Sequence, residues 1–212
     1  AILKPLEAEV PRNPNVLMLL KTVCQQLQMW EELMALLPRL RKSVFENAES
    51  LKQIEQQTYS GLLDSTHENI YRIWQMIPRS FRQDPQLIYL YAKQLNKAKE
   101  YDEAEIILRK CLKHGWNEKL IELYGEVITA RTSDQLHFVE RFVKQHADNP
   151  NLFLCLGKLA MRAKLWGKAK HYLEMSIKYR PSSEGYQLLG KILEVLGDKE
   201  AAFVMYRKGT QC

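Results

Sequence analysis

Bulky apolar residues recur along this chain at three- and four-residue intervals, the spacing that lines one face of an α-helix. Four stretches repeat one arrangement around a small residue. They are IYLYAKQL, IELYGEVI, FLCLGKLA and YQLLGKIL, centred on Ala92, Gly125, Gly157 and Gly190 at spacings of 33, 32 and 33. A bulky residue stands four before each (Ile88, Ile121, Phe153, Tyr186) and another just before it (Tyr91, Tyr124, Leu156, Leu189). An apolar residue follows three later (Leu95, Ile128, Ala160, Leu193). Twelve residues beyond three of the small positions come Ala104, Ala169 and Ala202, and four further on Leu108, Leu173 and Tyr206. Pro181 falls twelve after Ala169.

Large, small, Ala, aromatic and Pro at fixed offsets make the tetratricopeptide pattern. A Gly inside a helix costs about 1 kcal/mol relative to Ala, so three in one register point to close helix–helix approach. The expected fold is all-α, a right-handed superhelix (α-solenoid) of tetratricopeptide-like helix pairs with about twelve helices in one continuous solenoid. Four repeats are expected at 85–117, 118–149, 150–182 and 183–212, the second degenerate because His137 takes the Ala position.

Residues 1–84 read as degenerate repeats, with helices near 14–28, 30–43, 46–63 and 67–77. Trp30-Glu31-Glu32-Leu33 precedes Trp166-Gly167-Lys168-Ala169 by 136 residues, four periods of 34. Ser65-Thr66 are expected to cap the last of these helices, which stops before Pro78.

Composition narrows the class. Among 212 residues 46% are hydrophobic, with nine Gly and eight Pro, which excludes disordered, collagen-like and all-β chains. Cys24, Cys111, Cys155 and Cys212 are widely spaced without a C-x-x-C pair, as expected of reduced, mostly buried thiols in a reducing compartment. No apolar run approaches the ~18 residues of a membrane span. The start at Ala1 reads as a fragment of a longer chain, with room for an anchor upstream. The formal net charge is +6, and residues 158–180 carry that whole excess, with seven cations against Glu174.

Several segments resemble the C-terminal region of HemY-type proteins, a bacterial family linked to haem (protoporphyrin) biosynthesis. Trp30, Leu33, Leu37-Pro38, Leu40 and Lys42 resemble its W-x-x-L…L-P-x-L-x-K stretch. Trp74, Ile77-Pro78, Arg82 and Asp84-Pro85 resemble its W-x-x-L-P…R-x-D-P. Tyr91-Ala92, Ala104-Glu105, Leu108-Arg109, Leu123-Tyr124-Gly125 and Trp166-Gly167-Lys168-Ala169 follow in order. The resemblance implies a repeat domain tethered to the bacterial inner membrane by upstream helices and acting in late tetrapyrrole synthesis. It carries no catalytic motif onto this chain. An older use of the family name belongs to a flavoprotein oxidase, whose G-x-G-x-x-G turn is missing here.

P-loop, G-x-S-x-G and H-E-x-x-H motifs are likewise missing, so an enzyme is the least favoured class. In this repeat class the groove lies three before and one, four and five after the small position. Those offsets select Tyr89, Lys93, Asn96 and Lys97, then Glu122, Glu126, Thr129 and Ala130, then Leu154, Lys158, Met161 and Arg162, then Gln187, Lys191, Glu194 and Val195. Of these, Tyr89, Lys93, Asn96, Lys97, Glu122, Glu126, Leu154, Lys158, Met161, Arg162, Gln187 and Lys191 are the candidate groove residues. Such a basic, partly apolar groove suits a carboxylate-bearing ligand, either a peptide tail or a porphyrin. Cys111, His114 and His171 are candidate haem ligands, although packing and solvated helix faces explain all three. The sequence thus favours a non-enzymatic scaffold for partner proteins, among them tetrapyrrole-biosynthesis enzymes. A haem or porphyrin carrier is the alternative. Nucleic-acid binding ranks below both, because no aromatic stacking platform recurs.

Overall fold

The computed structural model describes residues 14–42, 48–65 and 69–212. Thr66, His67 and the first residues of the helices expected at 46–63 and 67–77 lie outside the described residues. Twelve α-helices and one 3₁₀ turn follow one another, with no strand among the described residues. The chain is an all-α helical-repeat protein. It divides into two compact units, one up to Gln94 and one from Leu95 onward.

The first unit holds α1 (Pro14–Gln26), α2 (Trp30–Lys42), α3 (Ala48–Ser65), α4 (Ile70–Met76), the 3₁₀ turn Phe81–Gln83, and α5 (Pro85–Lys97) as far as Gln94. Helix α2 runs through Pro38 and buries Leu33, Leu36, Leu37 and Leu40. The Trp30 indole lies on Gly61 of α3, where no Cβ would fit. Ser65 does not cap the next helix, as the sequence suggested. It is the last residue of α3 and donates back to the Gly61 carbonyl at 2.7 Å.

Five members of the Trp-Ile-Pro-Arg-Asp-Pro signature have a structural task. Trp74 stacks on Tyr91 with ring centroids 4.3 Å apart, and Ile77 is fully buried. Arg82 donates to the carbonyls of Ile77 and Gln75 at 2.7 and 2.6 Å, closing the end of α4. Asp84 accepts from Gln86 N at 2.7 Å at the start of α5, where Pro85 needs no donor.

The second unit holds the rest of α5, then α6 (Tyr101–His114), α7 (Glu118–Glu126), α8 (Thr132–Glu140), α9 (Pro150–Arg162), α10 (Trp166–Tyr179), α11 (Ser183–Val195) and α12 (Lys199–Gly209). Helix α6 packs on α7, each helix from α8 onward packs on the next, and α9 also packs on α7 and α11. The first helices of three successive pairs therefore form one layer.

Gly157 and Gly190 do what their register implied. A Cβ on Gly157 would stand 2.6 Å from Leu173 Cδ2, and one on Gly190 would stand 2.5 Å from Tyr206 Cε1. Gly125 instead faces the next pair, 3.1 Å from Cys155 Cα. Ala104, Ala169 and Ala202 are buried.

Two further periodic devices accompany the small residues. Asp84, Asn117, Asn149 and Ser182, each eight residues before a small position, offer a side-chain oxygen to a backbone N–H of the opening turn. Four helix pairs also turn through one left-handed residue: Gln28, Lys99, Lys164 or Gly197. In each turn the following N–H reaches back to a helix carbonyl at 2.8 or 2.9 Å: Met29 to Cys24, Glu100 to Leu95, Leu165 to Ala160, and Asp198 to Leu193. Gln28 precedes Lys164 by 136 residues, the offset that relates Trp30 to Trp166. The α7–α8 connection departs from this turn, because Val127 leaves α7 extended (φ −73°, ψ 124°).

Candidate functional site

The layer of α7, α9 and α11 carries most of the groove positions picked out in the sequence. Its centre is an ion bridge. The Lys158 ammonium pairs with Glu126 of α7 and, at 2.6 Å, with Glu184 of α11, and the lysine side chain is only 11% exposed. Burial alone would lower the Lys158 ammonium, but its two carboxylate partners outweigh burial and hold it above the usual lysine range. One turn on, Arg162 donates to the carbonyls of Gly125 and, at 2.6 Å, Val127, the acceptors left open where α7 ends early. Burial lowers the Arg162 guanidinium.

The two central cations are thus engaged within the unit. Around them Glu122, Gln187 and Lys191 are exposed, Met161 is half-buried, and Leu154 is buried in the core instead of facing the layer. In the first unit Tyr89 and Lys93 are half-buried, with the Lys93 ammonium 3.8 Å from Asp64. Asn96 is half-buried and Lys97 exposed.

The remaining cations of 158–180 are dispersed. Lys168 bonds Glu140 at 2.9 Å, Lys170 lies 3.9 Å from Glu174, Arg180 meets Asn151, and Lys178 lies 5.9 Å from the Tyr179 ring centre. Burial would raise the Glu140 carboxyl, but hydrogen bonds from Lys168 and Tyr172 prevail and hold it below the usual range.

The haem-ligand candidates are not gathered. Cys111 is half-buried on α6, His114 is exposed and donates from Nδ1 to the Lys110 carbonyl at 2.7 Å, and His171 is exposed on α10. Among the described residues no group of three His, Cys, Asp or Glu side chains is arranged to hold a metal ion.

Of the four cysteines only Cys24 and Cys155 are buried, against the expectation that most would be. All four are free. Burial pushes the Cys155 thiol up to about 12. In a thiol-labelling time course near neutral pH, Cys212 is therefore expected to react first and Cys155 only after denaturation. Mass spectrometry of the labelled peptides checks the order; modification of Cys155 in the native protein would contradict the packing on Gly125.

Sequence reasoning missed Glu184, which lies outside the groove offsets and is linked to Glu126 only through the fold. It also missed the capping positions, because Asp, Asn and Ser perform one task at one phase.

Helix pairs with a recurrent small residue, cap and left-handed turn define the class: a tetratricopeptide-like helical-repeat protein. The chain is similar to protein HemY of Escherichia coli strain K12, with 26% identity over 204 residues and 94% of this chain. HemY of Shigella flexneri matches equally. The chain spans about half the length of these curated relatives (51%). Among solved structures, MamA 41-end from Desulfovibrio magneticus RS-1 superposes with a TM-score of 0.57 at 17% identity, covering 74% of this chain and 94% of that one. A further MamA crystal structure gives 0.54 at 13% identity, covering 79% and 95%. No protein-family model matches the chain. In sequence the chain is thus similar to HemY proteins, and its fold is that of a tetratricopeptide-like repeat chain. No described helix is long and apolar enough to cross a membrane.

Proposed function

We propose that the chain is a non-enzymatic interaction scaffold linked to a late step of haem (tetrapyrrole) biosynthesis, and that the α7–α9–α11 layer receives a partner protein. The parent protein is membrane-anchored in this reading. The likeness to HemY over 94% of the chain supports the haem link. The observation that carries the binding layer is the Glu126–Lys158–Glu184 bridge. It locks three first helices together, so a partner meets a preorganised surface and loses less entropy on binding. Exposed Glu122, Gln187 and Lys191, beside half-buried Met161, supply a mixed polar and apolar contact set in place of a purely basic groove.

The test is partner capture by the membrane-anchored full-length protein, comparing the native chain with a Glu122→Lys/Lys191→Glu double variant. Both positions are exposed and outside the bridge, so thermal stability is expected to stay the same. Recovery of tetrapyrrole-pathway enzymes is expected to fall on the order of tenfold. Unchanged recovery overturns the layer as the contact surface. Haem titration is the second arm, and an unchanged Soret band is expected. A Soret shift abolished by Cys111→Ser with His114→Ala would replace the scaffold by a carrier.

A further inference from the structure

A cleft of about 550 Å³ opens between α6 and α8, both second helices of their pairs and apart from the layer just described. Its walls hold five permanent cations: Arg109, Lys110 and Lys113 of α6, with Arg131 and Arg141 at the two ends of α8. Only Glu105 and Asp134 oppose them. Glu105 is withdrawn from the cleft's surface. At 5% exposure it receives the Tyr124 hydroxyl and, at 2.5 Å, Arg109 Nε. Burial and the bond to Glu105 push the Tyr124 phenol far up, so it stays a donor. Arg109 thereby neutralises the one carboxylate of the floor. Lys110, Lys113, Arg131 and Arg141 are exposed and have no ion pair among the described residues.

We infer that this cleft docks an acidic peptide segment of a partner protein. Three observations select that occupant. The unpaired cations are spread over two helices and not focused on one point, which matches a run of carboxylates better than a single small anion. Ile106 stands 59% exposed on the same wall and gives an apolar side chain of the peptide a contact. The aromatic ring of the floor is closed to nucleobases. Phe138 is 3% exposed, with the Arg109 and Arg141 guanidinium carbons 4.6 and 5.9 Å from its ring centre. The Phe138 contact also holds the Arg141 guanidinium fork in place for a carboxylate, while Arg109 stays committed to Glu105.

The experiment measures fluorescence anisotropy of a labelled peptide of alternating Glu, Asp and Leu, using the full chain. Binding that weakens with salt is expected. In the triple variant Lys110→Glu/Lys113→Glu/Arg131→Glu affinity should fall on the order of tenfold or more. The triple variant Lys119→Glu/Lys199→Glu/Lys208→Glu, with the same net charge, should stay within about twofold of the native chain. Equal losses in both variants reduce the effect to overall charge and overturn the site. So does binding of an oligothymidylate or of phosphatidylserine vesicles in place of the peptide. Circular dichroism melts of both variants show whether any loss reflects unfolding. Should the first variant melt early, the single change Arg141→Gln carries the test, and unchanged peptide affinity there overturns the proposal.

Discussion

Lys158→Glu is expected to destabilise the second unit by about 3 kcal/mol, because it sets three carboxylates together where one side chain is only 11% exposed. Lys158→Met should cost less, about 1–2 kcal/mol, since the methionine keeps most of the packing and the two glutamates at 48% and 52% exposure regain water. Denaturant titration of both variants measures the difference. If Lys158→Glu were no worse than Lys158→Met, the bridge would not be closed in solution.

The pH dependence has a defined sign. A lysine held above its ordinary value stabilises the fold fully below the unfolded value, and the benefit disappears as pH rises through the folded value. The lysine's contribution therefore persists across the neutral range and is lost on the alkaline side as pH rises through its raised value. For Lys158→Glu the deficit should shrink on acidification, since protonated carboxyls no longer repel one another. A charge reversal at Lys158 would disturb folding along with any partner contact, so exposed Glu122 and Lys191 make the cleaner functional variants.

Gly157→Val is expected to cost about 3 kcal/mol through overpacking. Its first added atom falls 2.6 Å from Leu173 Cδ2, and Leu173 is fully buried, so the side chain has nowhere to swing. Leu173→Ala alone should also destabilise, by about 2–4 kcal/mol, by leaving a cavity. In the double variant the two costs should fall short of additive, because each change removes the other's difficulty. Gly167→Ala on α10 is the control. Nothing lies within 4 Å of its added Cβ, so no loss is expected. Additive losses in the double variant would mean that Gly157 and Leu173 do not share one contact.

The fold was legible where one residue type served one geometric purpose. Gly157 and Gly190 each meet a large side chain from the second helix of their own pair, so their 33-residue spacing announced the pairs directly. The Trp30–Trp166 offset likewise located an early pair whose turn matches the later ones. The candidate site was legible only as positions. A run of lysines and arginines states charge, whereas the fold decides which charges are answered. Lys158 finds Glu126 and Glu184 at separations of 32 and 26 residues, and Arg162 finds carbonyls exposed by the early end of α7. The cationic cleft was not legible because its residues lie on second helices, away from the expected groove, and its α8 wall belongs to the degenerate repeat.

Helix α9 touches α7, α8, α10 and α11, and that shapes how the second unit comes apart. In an ideal repeat array each pair leans only on its neighbours, so the ends can fray while the middle survives. Here one ammonium belongs to three pairs at once, and withdrawing either flanking helix leaves it a half-answered charge. Loss of a neighbour therefore travels inward, and the unit behaves as a lattice pinned at its centre instead of a stack shed repeat by repeat.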